Sequence, residues 1–142
     1  MQIKIDGKDY KIKFGYKPTL NEHVISKIVK FSRMSDENGD VDMEDQEELL
    51  LYLPEILLVG LQVHHKDFRY DYDTKDGKDE QLDKVFDLID KYTENSDSSV
   101  MDLFNGLQEA LLEDSFLANM FRKEKAKAGK NAEQKAEPES EN

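Results

Sequence analysis

The sequence predicts a mainly α fold carrying a small N-terminal β-hairpin, an α+β body built on a bundle of about four helices. Three observations predict it. Polar and apolar residues alternate on both sides of Asp6-Gly7. Apolar residues then recur at helical spacing in successive stretches between residues 19 and 121. From Arg122 onward there is no Val, Ile, Leu, Met or aromatic residue. The chain of 142 residues is 37% hydrophobic and 37% charged, against roughly 45–50% and about 25% in an average soluble domain. This composition predicts one domain over residues 1–121, with wide solvated faces, followed by a polar tail over 122–142.

Residues 1–15 read MQIKIDGKDYKIKFG. Ile3 and Ile5 precede the Asp-Gly pair, and Tyr10, Ile12 and Phe14 follow it. Alternation around Asp-Gly is the signature of a two-residue hairpin. Its apolar face requires a helical body to lie on, because an isolated hairpin is marginal in water.

The helical body runs over 19–121. Pro18-Thr19 opens a first helix, and Thr19 with Glu22 has capping-box spacing. Leu20, Val24, Ile25, Ile28, Phe31 and Met34 form its stripe. The acidic stretch SDENGDVDMEDQEE over 35–48 separates it from a second helix, predicted from about Met43 to about His64. Leu50, Leu53, Leu57 and Leu61 line that helix, while Leu49, Ile56 and Leu58 make it apolar nearly all round. Such a helix is either central or covered by a partner. Pro54 is expected to kink or split it. Phe68, Tyr70 and Tyr72 alternate with charged residues as a short strand or extended connection, and Asp76-Gly77 marks a turn. Leu82, Val85, Phe86, Ile89 and Tyr92 predict a third helix. A fourth carries Val100, Leu103, Phe104, Leu107 and Leu111, capped by Ser98 or Ser99. Asp114-Ser115 interrupts it before Phe116, Leu117, Met120 and Phe121. The tail, ending AKAGKNAEQKAEPESEN, is expected to be disordered, since it has nothing to bury.

Charge and composition exclude several functions. The net charge of −12 argues against nucleic acid as a partner. It is unevenly spread: residues 1–34 carry eight Lys/Arg and three Asp/Glu, whereas residues 35–121 carry six and twenty-four. With no cysteine there is no disulfide framework, zinc-thiolate site or cysteine nucleophile. The most apolar run, Leu49 to Val63, is shorter than the roughly 20 residues of a membrane span and contains Pro54, Glu55 and Gln62. No signal peptide, nucleophile elbow, phosphate loop or dinucleotide fingerprint occurs. The reading is therefore of a soluble protein with no recognisable catalytic pattern and no cofactor expected.

Two constellations carry possible chemistry. Asp36, Asn38, Asp40, Asp42 and Glu47 match positions 1, 3, 5, 7 and 12 of a calcium loop between two helices. Val41 occupies the position where that loop needs glycine, so an acidic helix-capping connector is the competing reading. His64 and His65 are adjacent and His23 is remote, a spacing unlike the i, i+4 pair of a helical metal site. The second constellation is surplus apolar surface. A groove for an apolar helical partner is predicted from Leu57, Leu58 and Leu61 together with Phe116 and Met120. A homo-oligomer contact is the alternative use of the same surface.

The pattern I-x-I-x-G-K-x-Y-x-x-K-F-G is carried here by Ile3, Ile5, Gly7, Lys8, Tyr10, Lys13, Phe14 and Gly15. It is followed by LPEILLVGLQVHHKD, LDKVFDLIDKY and VMDLFNGLQEALLEDSFL. With these segments and the polar end, residues 1–121 resemble the tail assembly chaperones of long-tailed, siphovirus-type phages of Gram-positive bacteria. The resemblance implies a non-enzymatic protein of the host cell cytoplasm, absent from the mature virion. It implies binding to the tape measure protein, which is kept soluble, and help in recruiting the major tail protein. It also implies a longer product made by ribosomal frameshifting, and it supplies no catalytic residues. Readings of other classes are a calcium-responsive binding protein using residues 36–47 and an acidic protein–protein adaptor.

Overall fold

The computed structural model describes residues 1–35, 43–95 and 97–120. The hairpin forms as its sequence dictates. Strand β1 (Gln2–Ile5) pairs antiparallel with β2 (Lys8–Lys11), with Ile5 opposite Lys8. Only Asp6 and Gly7 remain in the loop, both with positive φ, 53° and 80°. That is the backbone a tight primed turn requires, and Asp-Gly supplies it at low cost. Ile3, Ile5, Tyr10, Ile12 and Phe14 are all buried.

The body is helical. α1 (Tyr16–Asn21) and α2 (Val24–Ser35) precede the long α3 (Met43–Leu61). A 3-10 turn (Lys66–Phe68) leads to α4 (Lys78–Glu94) and α5 (Val100–Glu113). A short helical stretch over 117–120 follows. α3 is the axis of the fold. Its C-terminal half, Leu53 to Leu61, is buried except for half-buried Glu55. Its N-terminal half exposes Leu50 and Leu51. α2 packs along it through Lys27–Glu55 at 2.8 Å and Lys30–Glu48 at 2.9 Å. Phe31 of α2 stacks on Phe104 of α5, with ring centroids 3.6 Å apart. The hairpin exits across α3 at Gly60, whose carbonyl accepts the Lys13 N–H at 2.9 Å. A Cβ at Gly60 would lie 2.8 Å from Ile12 Cγ2, so only glycine permits this approach.

Four sequence expectations are corrected. The first helix is not continuous from Thr19. It begins at Tyr16 and breaks at Glu22–His23, where His23 adopts φ 56°. Thr19 is consequently not a cap: it is buried and, among the described residues, its Oγ1 has no hydrogen-bond partner. α3 is not split at Pro54, because packing on every side of its C-terminal half holds it helical. It ends at Leu61, short of His64. Of the two readings of residues 68–73, a short strand or an extended connection, the structure has the connection, along which Phe68 is buried and Tyr70 and Tyr72 are half-buried. The predicted cap at Ser99 is present, its Oγ accepting the Asp102 N–H at 3.1 Å. So is the interruption after Glu113. The expected disorder of the tail concerns residues outside those described.

Candidate functional site

The first distinctive feature is a buried carboxylate. Glu22 is only 5% exposed, because the break after α1 turns it inward. Both oxygens are engaged. Oε1 accepts from Lys78 Nζ at 2.8 Å, and Oε2 from Lys75 Nζ and the Tyr70 hydroxyl, each at 2.6 Å. The Glu22 carbonyl accepts from Lys27 Nζ at 2.8 Å, and the same ammonium reaches Glu55 Oε2. Burial alone would raise the Glu22 pKa. The hydrogen bonds from Lys75, Lys78 and Tyr70, with the Lys78 charge, outweigh it and hold the group at about 2. The Tyr70 hydroxyl is pushed well above its usual range, first by burial and then by its bond to Glu22. Nearby, the Tyr72 hydroxyl donates to buried Gln62 at 2.5 Å, and Asn21 Nδ2 donates to the Tyr72 carbonyl at 3.1 Å. The cluster therefore ties the connection between α3 and α4 to the α1–α2 break. The Glu22 carboxylate is met by two ammonium groups and a hydroxyl, so the chemistry of the cluster is that of a structural latch.

The latch fixes the orientation of α1 and hence of the second feature, an apolar surface. Tyr16 and Leu20, one turn apart on α1, are 66% and 44% exposed. The Tyr16 ring meets Phe116 edge-on, with centroids 4.9 Å apart. Phe116 is half-buried, and Met120, one turn further on, is 61% exposed. Val63, also exposed, borders Gly15 immediately before α1. Two helical turns thus meet at an aromatic contact and present apolar side chains outward. Exposed apolar residues on the two helical turns that meet at this aromatic contact, on a strongly acidic chain, mark an interaction surface more readily than scattered exposure does.

The sequence-predicted groove is corrected accordingly. Leu57, Leu58 and Leu61 are at most 1% exposed and belong to the core. An apolar belt around a helix has two explanations, and here the C-terminal half of α3 is enclosed by its own chain. Phe116 and Met120 stay near the surface, but the ring Phe116 meets is that of Tyr16 on α1. Tyr16 precedes the helix that Pro18-Thr19 predicts, and Leu20 falls on the predicted apolar stripe, so the sequence alone marks neither as a surface residue. The only signal for the Glu22 latch was a lone acid in the basic segment between Tyr10 and Met34.

Of the calcium-loop residues, Asp36, Asn38, Asp40 and Asp42 lie outside the described residues, and Glu47 is exposed on α3. No metal-holding group of His, Asp and Glu occurs among the described residues. His23 and His64 are exposed. His65 is half-buried, and its Nε2 accepts the Lys11 N–H at 3.0 Å. No helix among the described residues is long and apolar enough to cross a membrane. In comparisons with protein-family models, curated proteins and solved structures, nothing matches this chain.

Proposed function

We propose that this protein is a tail assembly chaperone of a long-tailed phage of Gram-positive bacteria. It binds the apolar, helical tape measure protein in the host cytoplasm and keeps it soluble. It assists recruitment of the major tail protein and does not enter the virion. The role is binding, with no catalytic step.

One observation carries the reading beyond the sequence resemblance: exposed apolar Tyr16, Leu20 and Met120, with half-buried Phe116 against Tyr16, on a chain of net charge −12. A holdase needs both properties. The apolar surface removes a partner's side chains from water, at roughly 25 cal/mol per Å2 buried. The charge keeps the complex soluble. Methionine at one end suits a long partner of varied sequence, because its unbranched side chain repacks easily. The test is co-expression with a fragment of the tape measure protein encoded beside it, scored by the fraction of fragment in the supernatant. The proposal predicts a soluble fragment co-purifying with the chain. A fragment equally insoluble with and without the chain contradicts it.

A further inference from the structure

β1 has one partner strand and one open edge. The Ile12 N–H donates to the Met1 carbonyl at 2.8 Å, which makes Met1 and Ile12 a bonded pair of the hairpin. Bonded and non-bonded pairs alternate along an antiparallel ladder. With Ile3 opposite Tyr10 and Ile5 opposite Lys8, the backbone N–H and C=O groups of Gln2 and Lys4 point away from β2. The matching outward amides beyond β2 are used: Lys11 donates to His65 Nε2 and Lys13 to the Gly60 carbonyl. Among the described residues, nothing bonds the outward groups of Gln2 and Lys4.

Beside this edge lies a groove of about 410 Å3. Met1 and Gln2 form one wall, and Gly106, Glu109, Glu113 and Asp114 of α5 and its end form the other. Glu109, Glu113 and Asp114 are exposed. Asp114 lies 3.7 Å from the Met1 amino group, while Glu109 and Glu113 make no ion pair among the described residues. The strand with the unpaired edge thus borders, through Met1 and Gln2, a groove that also holds three carboxylates.

We propose that this edge and groove take an extended, lysine- or arginine-bearing segment of a partner protein as a third strand on β1. Main-chain bonds to Gln2 and Lys4 give the register, and the carboxylates of α5 select basic side chains. The surface is separate from the apolar one of Tyr16 and Met120, and its occupant is extended and cationic rather than helical and apolar.

The test uses the full chain and a fluorescein-labelled peptide of six alternating lysines and valines, followed by anisotropy. Three further probes accompany it: the glutamate–valine counterpart, the lysine–valine peptide N-methylated at alternate amides, and a peptide of residues 122–130, where five Lys/Arg stand against one Glu. Lys4→Pro removes an outward donor without breaking a hairpin bond. It also removes a positive charge, so electrostatics alone would strengthen binding of a cationic peptide. The proposal predicts binding of the lysine–valine peptide. It predicts at least tenfold weaker binding for the N-methylated and glutamate peptides, for Lys4→Pro, and for the double variant Glu109→Lys/Glu113→Lys. If Lys4→Pro fails to fold by circular dichroism, the N-methylated peptide decides. Absence of binding, or equal binding of the N-methylated peptide, overturns the proposal. So does a tenfold gain on truncation after residue 121 with the 122–130 peptide bound at the same edge, since the occupant is then the chain's own tail.

Discussion

Replacing Glu22 by Gln should be among the most destabilising conservative changes in this protein. The substitution keeps the size of the side chain and removes its charge. Lys75 and Lys78 then lose their shared carboxylate, and Tyr70 keeps only a neutral acceptor. The magnitude follows from linkage. A carboxyl group held at about 2, against an ordinary value of 4.5, favours the folded state by about 3 kcal/mol at neutral pH, at about 1.4 kcal/mol per pH unit. That matches the roughly 3–5 kcal/mol lost when one member of a buried ion pair is removed. Urea unfolding at pH 7, followed by far-ultraviolet circular dichroism, should show Glu22→Gln less stable by about 3 kcal/mol. The pH dependence has a definite sign. The folded pKa is lowered, so the contribution is fully present above pH 4.5 and is lost as pH falls from 4.5 toward 2. The gap between wild type and variant should therefore narrow over that interval. A loss below about 1 kcal/mol at pH 7, or a gap that stays constant down to pH 2.5, would refute the assignment of Glu22 as the latch of the α1–α2 break.

The remaining structural predictions concern three other positions. His65 accepts the Lys11 N–H through Nε2, and burial followed by the charges of Lys8 and His64 lowers its pKa, with Asp67 opposing. Its contribution to stability is thus present above about pH 6.5 and declines below it. Unfolding free energies between pH 7.5 and 5.5 should fall for wild type and stay flatter for His65→Gln; identical slopes would sink this role. Gly60→Ala places a methyl group 2.8 Å from Ile12 Cγ2 and 3.3 Å from Phe14 Cζ, and should cost about 1–3 kcal/mol in the same urea assay. Leu58→Asp buries an unpaired carboxylate in a site that is 1% exposed, and should abolish the cooperative transition rather than merely weaken partner binding.

Local chemistry wrote the hairpin and the later helices directly into the sequence. Asp6-Gly7 supplies two positive φ angles in succession, and the alternation on either side leaves one register that buries Ile3, Ile5 and Tyr10. Ser99 caps α5 by a bond to a residue three positions away, again a local event. The α1–α2 break was hidden because its cause is long-range. Thr19 and Glu22 have the spacing of a capping box, yet Glu22 is drawn inward by Lys75 and Lys78, more than fifty positions along the chain. The same kind of ambiguity misplaced the groove. Hydrophobic periodicity shows that α3 is apolar all round but not what covers it, and the covering elements include β2's continuation at Ile12 and Phe14. Tyr16 lies three residues before the Pro18-Thr19 helix signal ends, at the true start of α1, and an isolated tyrosine beyond a hairpin carries no surface signal of its own.

The most direct test of the account is a titration of the tape measure fragment into wild type, Tyr16→Asp and Met120→Asp by isothermal calorimetry. Both positions are mostly exposed, so both variants should keep the wild-type circular dichroism. Losing one apolar side chain buried against the partner removes roughly 1.5–3 kcal/mol, or about ten- to a hundredfold in affinity. The account predicts losses of at least tenfold in each variant with folding intact. Unchanged affinity in both folded variants would contradict it.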